Sequence, residues 1–214
     1  MLPIRSIVIF NGGAGGDFLK MICCHQLYPD FNFALTPTGM VDFDHHYFKF
    51  ITERLFNSND QHINVDYGQV WLVDNSHYYL ESYSTMAEQL FFIDYPDTAA
   101  EFIVTLYKEK RLGSNHELFF NKHYNLLPDN LKKYATEENI LQIVSKQWLK
   151  QLKIWRENAL LTPIQLADFF DKTKLKTICE TLMGCPIRDQ QLFESDVNNW
   201  LEKNQKLVKF FSTY

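Results

Sequence analysis

The feature that most constrains this chain is its opening, where Ile7-Val8-Ile9-Phe10 breaks straight into Asn11-Gly12-Gly13-Ala14-Gly15-Gly16. A short apolar run rich in β-branched residues reads as a strand buried on both faces. Past the glycines, apolar residues at 18, 19, 22, 23 and 27 follow helical spacing from Asp17 until Pro29 closes the segment. Strand, glycine turn and helix together open an α/β unit.

Two further apolar runs repeat the theme. Gln69-Val70-Trp71-Leu72-Val73 ends at Asp74-Asn75-Ser76-His77, and Gln89-Leu90-Phe91-Phe92-Ile93 ends at Asp94-Tyr95-Pro96-Asp97. A helix is expected over 98–110, capped by Asp97 or Thr98, and another over 43–56. Three short strands with helical crossovers predict a mainly parallel sheet. From Thr136 the chain reads as helical: Ile140–Trp155, a segment opening at Thr162-Pro163, Leu175–Met183 stopped by Gly184, and one amphipathic helix over Asp196–Phe211. The expected fold class is α/β, one domain over 1–214, with a helical C-terminal third.

Composition narrows the function classes. The balance of 21 Lys+Arg against 26 Asp+Glu, net −5, disfavours a protein that coats nucleic acid, whose affinity comes from many cations. No apolar run approaches a membrane span, and the N-terminus does not read as a signal peptide. Cys23, Cys24, Cys179 and Cys185 lack zinc or redox-motif spacing, so reduced thiols and a cytoplasmic location are expected. Asp42-Phe43-Asp44-His45-His46 has metal-ligating residue types, but adjacent histidines on a helix point about 100° apart. Capping acids and surface histidines are the simpler reading.

In a parallel α/β sheet, ligands bind beyond the carboxyl ends of the strands. All three predicted strand ends carry chemistry. Glycines let backbone N–H groups turn inward, and a helix N-terminus adds partial positive charge, so the loop suits an anion such as phosphate. The Walker A pattern places Lys and Ser/Thr after its last glycine, where this chain has Asp17 and Phe18; Lys20 stands one turn further on. Leu90–Asp94, four apolar residues and an Asp, has the Walker B form, which would suit a magnesium-dependent phosphotransferase.

The stretch Gly13-Ala14-Gly15-Gly16-Asp17-Phe18-Leu19 resembles the first motif of P-loop sulfotransferases, where a Lys-Ser-Gly-Thr-Thr-Trp-Leu run cradles the donor's 5′-phosphosulfate. Val73-Asp74-Asn75-Ser76-His77 resembles the strand end that delivers that family's catalytic histidine. Thr162–Phe170, Leu175–Gly184 and Asn199-Trp200-Leu201-Glu202-Lys203-Asn204 look like the ending of bacterial and phage members. The resemblance implies a P-loop NTPase/sulfotransferase-type sheet and, in an active protein, transfer of a sulfuryl group from 3′-phosphoadenosine-5′-phosphosulfate to a hydroxyl acceptor. His77 would be the base, and Gly12, Gly13, Ala14, Gly15, Gly16, Asp17, Phe18 and Lys20 would bind the donor. The family's strand-end Arg for the 3′-phosphate is replaced here by Asp94, and the loop Lys and hydroxyls are missing. Three readings stay open on the residues: the sulfotransferase, a divergent phosphotransferase using Asp94 and magnesium, and a non-catalytic interaction protein that keeps the fold. The segment from Gly113 to Leu131, with His116, Phe119, Phe120, His123 and Tyr124, is the expected acceptor wall or lid.

Overall fold

The structure, a computed structural model, describes residues 4–27, 34–35, 41–42, 70–74, 87–112 and 115–213. The first half contributes β1 (Ile4–Phe10), α1 (Gly16–Leu27), the short strands β2 (Ala34–Leu35) and β3 (Val41–Asp42), β4 (Val70–Asp74) and β5 (Ala87–Asp94). A 3₁₀ turn (Asp97–Ala99) leads into α2 (Ala100–Leu112), α3 (His116–Leu126), α4 (Asp129–Lys132) and α5 (Ile140–Glu157). Then come β6 (Leu161–Gln165), a second 3₁₀ turn (Leu166–Phe170), α6 (Lys172–Met183), α7 (Gln190–Lys203) and α8 (Gln205–Phe211).

The main sheet has the order β4-β1-β5-β6, and every neighbouring pair is parallel. β1 is central because both of its faces are apolar: Ile7, Val8, Ile9 and Phe10 are all buried. Alternation puts Ser6, Val8 and Phe10 on one face. There Ser6 Oγ donates to the Leu182 carbonyl of α6 at 3.0 Å, and Phe10 lies against Gly16 at the start of α1. Helices α1, α6 and α7 pack together, while α2, α3 and α5 form a second group. The right-handed crossover rule places those groups on opposite faces of the sheet.

The chain leaves β1 toward β4 on one side and leaves β5 toward β6 on the other. The strand order therefore reverses between β1 and β5, which is where a parallel sheet opens its crevice. The register Phe10↔Asp74 and Asp94↔Gln165 brings the four carboxyl ends to one edge.

The mixed α/β class and the parallel sheet match expectation, but the C-terminal third is not purely helical. Thr162-Pro163 lies inside β6, a fourth parallel strand. The last predicted helix is two, α7 and α8, broken at Asn204, whose Nδ2 donates to the Trp200 carbonyl at 2.8 Å. Gly184 stops α6 in the left-handed region, at φ 67°, as its position predicts. Asp97 does not cap through its side chain; its carboxylate takes Arg156 instead. The predicted helix over 43–56 lies outside the described residues.

Candidate functional site

The glycine loop sits at the carboxyl end of the central strand and feeds α1. Ala14 N–H donates to the Asn11 carbonyl at 3.1 Å, closing a turn whose third residue, Gly13, has φ 81°. That positive φ is the type II signature and the reason a glycine is needed there. Gly15, at φ 78°, precedes the helix and has no side-chain oxygen with which to cap it. The amides of Gly16, Asp17 and Phe18 belong to the first helical turn, which an α-helix does not satisfy internally. A small oxyanion suits such donors.

The same loop is tightly walled by protein. A Cβ on Gly12 would lie 2.9 Å from the Tyr107 ring, and one on Gly13 would lie 3.0 Å from Tyr107 Cβ. One on Gly15 would lie 3.1 Å from the Phe169 ring, and one on Gly16 only 2.4 Å from the Phe10 ring. Ala14 and Phe18 are fully covered, and Phe18 stacks on Trp200 with ring centroids 4.1 Å apart. Of Phe18, only the backbone is placed to meet a ligand. Lys20 is half-buried; desolvation lowers its pKa against the opposing pull of Cys24 and Asp17. Asp17 in the first turn complements the helix dipole and competes with any anion for it.

Across the crevice, Asn11 Nδ2 lies 2.8 Å from the Tyr95 hydroxyl, joining the ends of β1 and β5. Burial raises the Tyr95 phenol above its ordinary pKa, so it stays protonated at neutral pH. Beside it, Arg156 from the last turn of α5 grips the β5 end. Its guanidinium donates to Asp94 Oδ1 at 2.9 and 2.7 Å, to Asp97 Oδ1 at 2.7 Å and to the Tyr95 carbonyl at 2.6 Å. Burial opposes the Arg156 charge, but the bonds to the two aspartates outweigh it and its pKa is raised. Asp94 Oδ1 also accepts the Tyr95 N–H at 2.8 Å, and Oδ2 accepts Gln165 Nε2 at 3.4 Å. Asp94 thus serves as an anchor for Arg156, which leaves little of it for magnesium. Two carboxylates against one guanidinium also make this end a poor seat for a 3′-phosphate.

Hydrophobic periodicity does not single out Arg156, which lies just past the last periodic residue of its helix. The only signal was a basic residue in a final helical turn.

The described residues of the predicted acceptor wall or lid form α3 and α4, and α3 packs against α2 beside the glycine loop. Lys122 Nζ bonds the Tyr107 hydroxyl and sits 5.1 Å from that ring's centre. Lys108 Nζ reaches His116 Nδ1 at 2.7 Å. His123 is buried between Tyr107 and Phe119, and its Nε2 has no hydrogen-bond partner. Burial first, and then the neighbouring Lys122, push its pKa down to about 4. It is therefore neutral at pH 7 and adds no positive charge for an anion.

His77 lies outside the described residues, as do residues 43–46 of the Asp/His run; Asp42 ends β3. Among the described residues, no cluster of His, Cys, Asp or Glu is arranged to hold a metal ion, and no helix is long and apolar enough to cross a membrane. The four cysteines are free thiols. A hydrogen bond to Cys179, then burial, raises the Cys23 thiol, and burial pushes Cys24 up to about 12, so neither is a thiolate nucleophile at neutral pH.

No protein-family model, curated protein or solved structure matches this chain.

Proposed function

We propose that this chain is a P-loop, sulfotransferase-like protein whose glycine loop receives the anionic end of a donor on the amides of residues 16–18. The observation that carries the reading is positional. Among the described residues, β1 is the one strand flanked by parallel neighbours on both sides and followed directly by a glycine turn, and it delivers that turn and a helix N-terminus to the switch point of the sheet. In this reading a hydroxyl acceptor meets the donor there and His77, three residues past β4, takes its proton. The 5′ end of 3′-phosphoadenosine-5′-phosphosulfate fits the loop amides. Its 3′-phosphate does not fit the β5 end, where Asp94 and Asp97 outnumber Arg156. Engagement of Asp94 by Arg156 also counts against a magnesium-dependent phosphotransferase.

A second reading has its own support. Tyr107 and Phe169 pack against Gly12, Gly13 and Gly15, and the last two have positive φ, so packing and backbone conformation explain those glycines without a ligand. That favours a protein which keeps the fold for interaction and not for catalysis.

Calorimetric titration with adenosine 3′,5′-bisphosphate and with adenosine 5′-monophosphate, each with and without magnesium, separates the readings. Saturable, metal-independent binding of both, with little gain from the 3′-phosphate and loss in a folded Lys20→Met variant, is the expected result. Binding of neither transfers the argument to the interaction protein. Binding only with magnesium reinstates Asp94 as a metal ligand.

A further inference from the structure

Away from the glycine loop, a groove of about 510 Å³ runs between the end of α2 and the α7–α8 junction. Leu106, Lys110, Asn204, Lys206 and Leu207 line it. Lys206 Nζ is paired with Glu109 Oε2 at 2.7 Å. Lys110 Nζ instead bonds Asn204 Oδ1, a neutral amide oxygen. The amide is held in that orientation because its Nδ2 donates to the Trp200 carbonyl and the side chain is buried. Lys110 is half-buried yet faces the groove. An amine in this setting can donate one N–H to Asn204 and still direct its lone pair outward.

We propose that Lys110 is an acylation site, with its Nζ on the wall of this groove as the nucleophile toward activated acyl donors. The step is aminolysis. Nζ attacks the acyl carbonyl and a C–N bond forms. The bond from that carbon to the leaving group breaks, phosphate or thiolate departs with its electron pair, and the Nζ proton passes to solvent. The proposal is independent of any ligand in the glycine loop.

Electrostatics supports the geometry. Burial, with Lys206 adding like charge and Glu109 opposing, brings Lys110 down from 10.5 to about 8. At pH 7 a far larger share of Lys110 is therefore the neutral, nucleophilic amine than for an ordinary lysine, and the lower basicity returns part of that gain as weaker nucleophilicity.

The test is site-resolved mass spectrometry of the full chain under limiting acetyl phosphate and, in a second arm, limiting acetyl coenzyme A. At about pH 7, Lys110 is expected to be acetylated severalfold faster than the exposed Lys209, an advantage that shrinks as the pH rises past about 8 and the neutral fraction of Lys110 saturates. A preference in one arm only identifies the donor class. Equal rates for Lys110 and Lys209 at neutral pH in both arms would overturn the proposal. Lys206→Gln, a surface change that frees Glu109 to pair with Lys110, should slow Lys110 by about threefold or more at pH 7, because a carboxylate partner favours the charged amine. An unchanged rate in that variant also overturns it.

Discussion

The most consequential single residue is Arg156, because one guanidinium closes the carboxyl end of β5. Asp94 is only 14% exposed at its side chain, so it meets much of its need for hydrogen bonds through Arg156 and the Tyr95 amide. Arg156 itself is 32% exposed, and water screens part of the attraction. Replacing it by Met keeps the stem's packing and strands the Asp94 carboxylate, at an expected cost of about 1–3 kcal/mol in urea unfolding. Asp94→Asn in the same background should restore part of that loss. The double-mutant cycle then gives a coupling of about 1–2 kcal/mol, whereas a coupling near zero would class the contact with ordinary surface pairs. Asp94 also shows the limit of a motif: four apolar residues and an Asp have the Walker B form, yet the carboxylate is anchored by a residue 62 positions away.

Among the elements, the β1–loop–α1 unit carries both the functional reading and the packing that rivals it. Gly16 separates them. Its φ is ordinary for a helix, and Ala is favoured over Gly there by about 1 kcal/mol. Against that, the new Cβ would meet three atoms of the Phe10 ring within 2.5 Å, and that ring is buried in β1. Overpacking of this kind costs about 1–3 kcal/mol, so Gly16→Ala should lower the melting temperature even with no ligand in solution. A stability equal to or above that of the parent would mean that Phe10 yields freely and that the glycine is kept for something else. Elements were legible where burial is two-sided. β1 and β5 show as apolar runs because both faces are covered, and α6 announces its end through Gly184. β6 was not, since an edge strand buries only Leu161 and Ile164 of its five residues and carries Pro163 besides. The α7–α8 break also escaped notice, because Trp200, Leu207 and Phe211 continue one helical stripe across it. Asn204 interrupts the helix through a side-chain bond to a backbone carbonyl, which spacing does not record. At the site, the loop and its strand could be read directly. The walls could not, for Tyr107 and Phe169 are brought to the glycines by tertiary packing.

For the whole molecule, the α2–α3–α5 layer is expected to contribute to the response to acid. It contains the buried His123, and its tyrosine neighbour Tyr107 is the residue that packs on Gly12 and Gly13. The folded-state pKa of His123, about 4, lies below the ordinary value of 6.5. Between those two values the unfolded chain binds more protons than the folded one, so stability rises with pH across the window and is lost as pH falls through it. The loss attributable to this one group is about 2 kcal/mol on going from about pH 7.5 to pH 5. It should be seen as a lower urea midpoint at an unchanged slope. His123→Phe removes the titration and the unpartnered Nε2 while keeping an aromatic ring beside Phe119 and Tyr107. That variant should unfold with nearly the same midpoint at both pH values. If it retains the parent's full acid sensitivity, the weak point lies in another part of the fold. If the sensitivity vanishes, the layer that walls the glycine loop is also the layer that acid opens first.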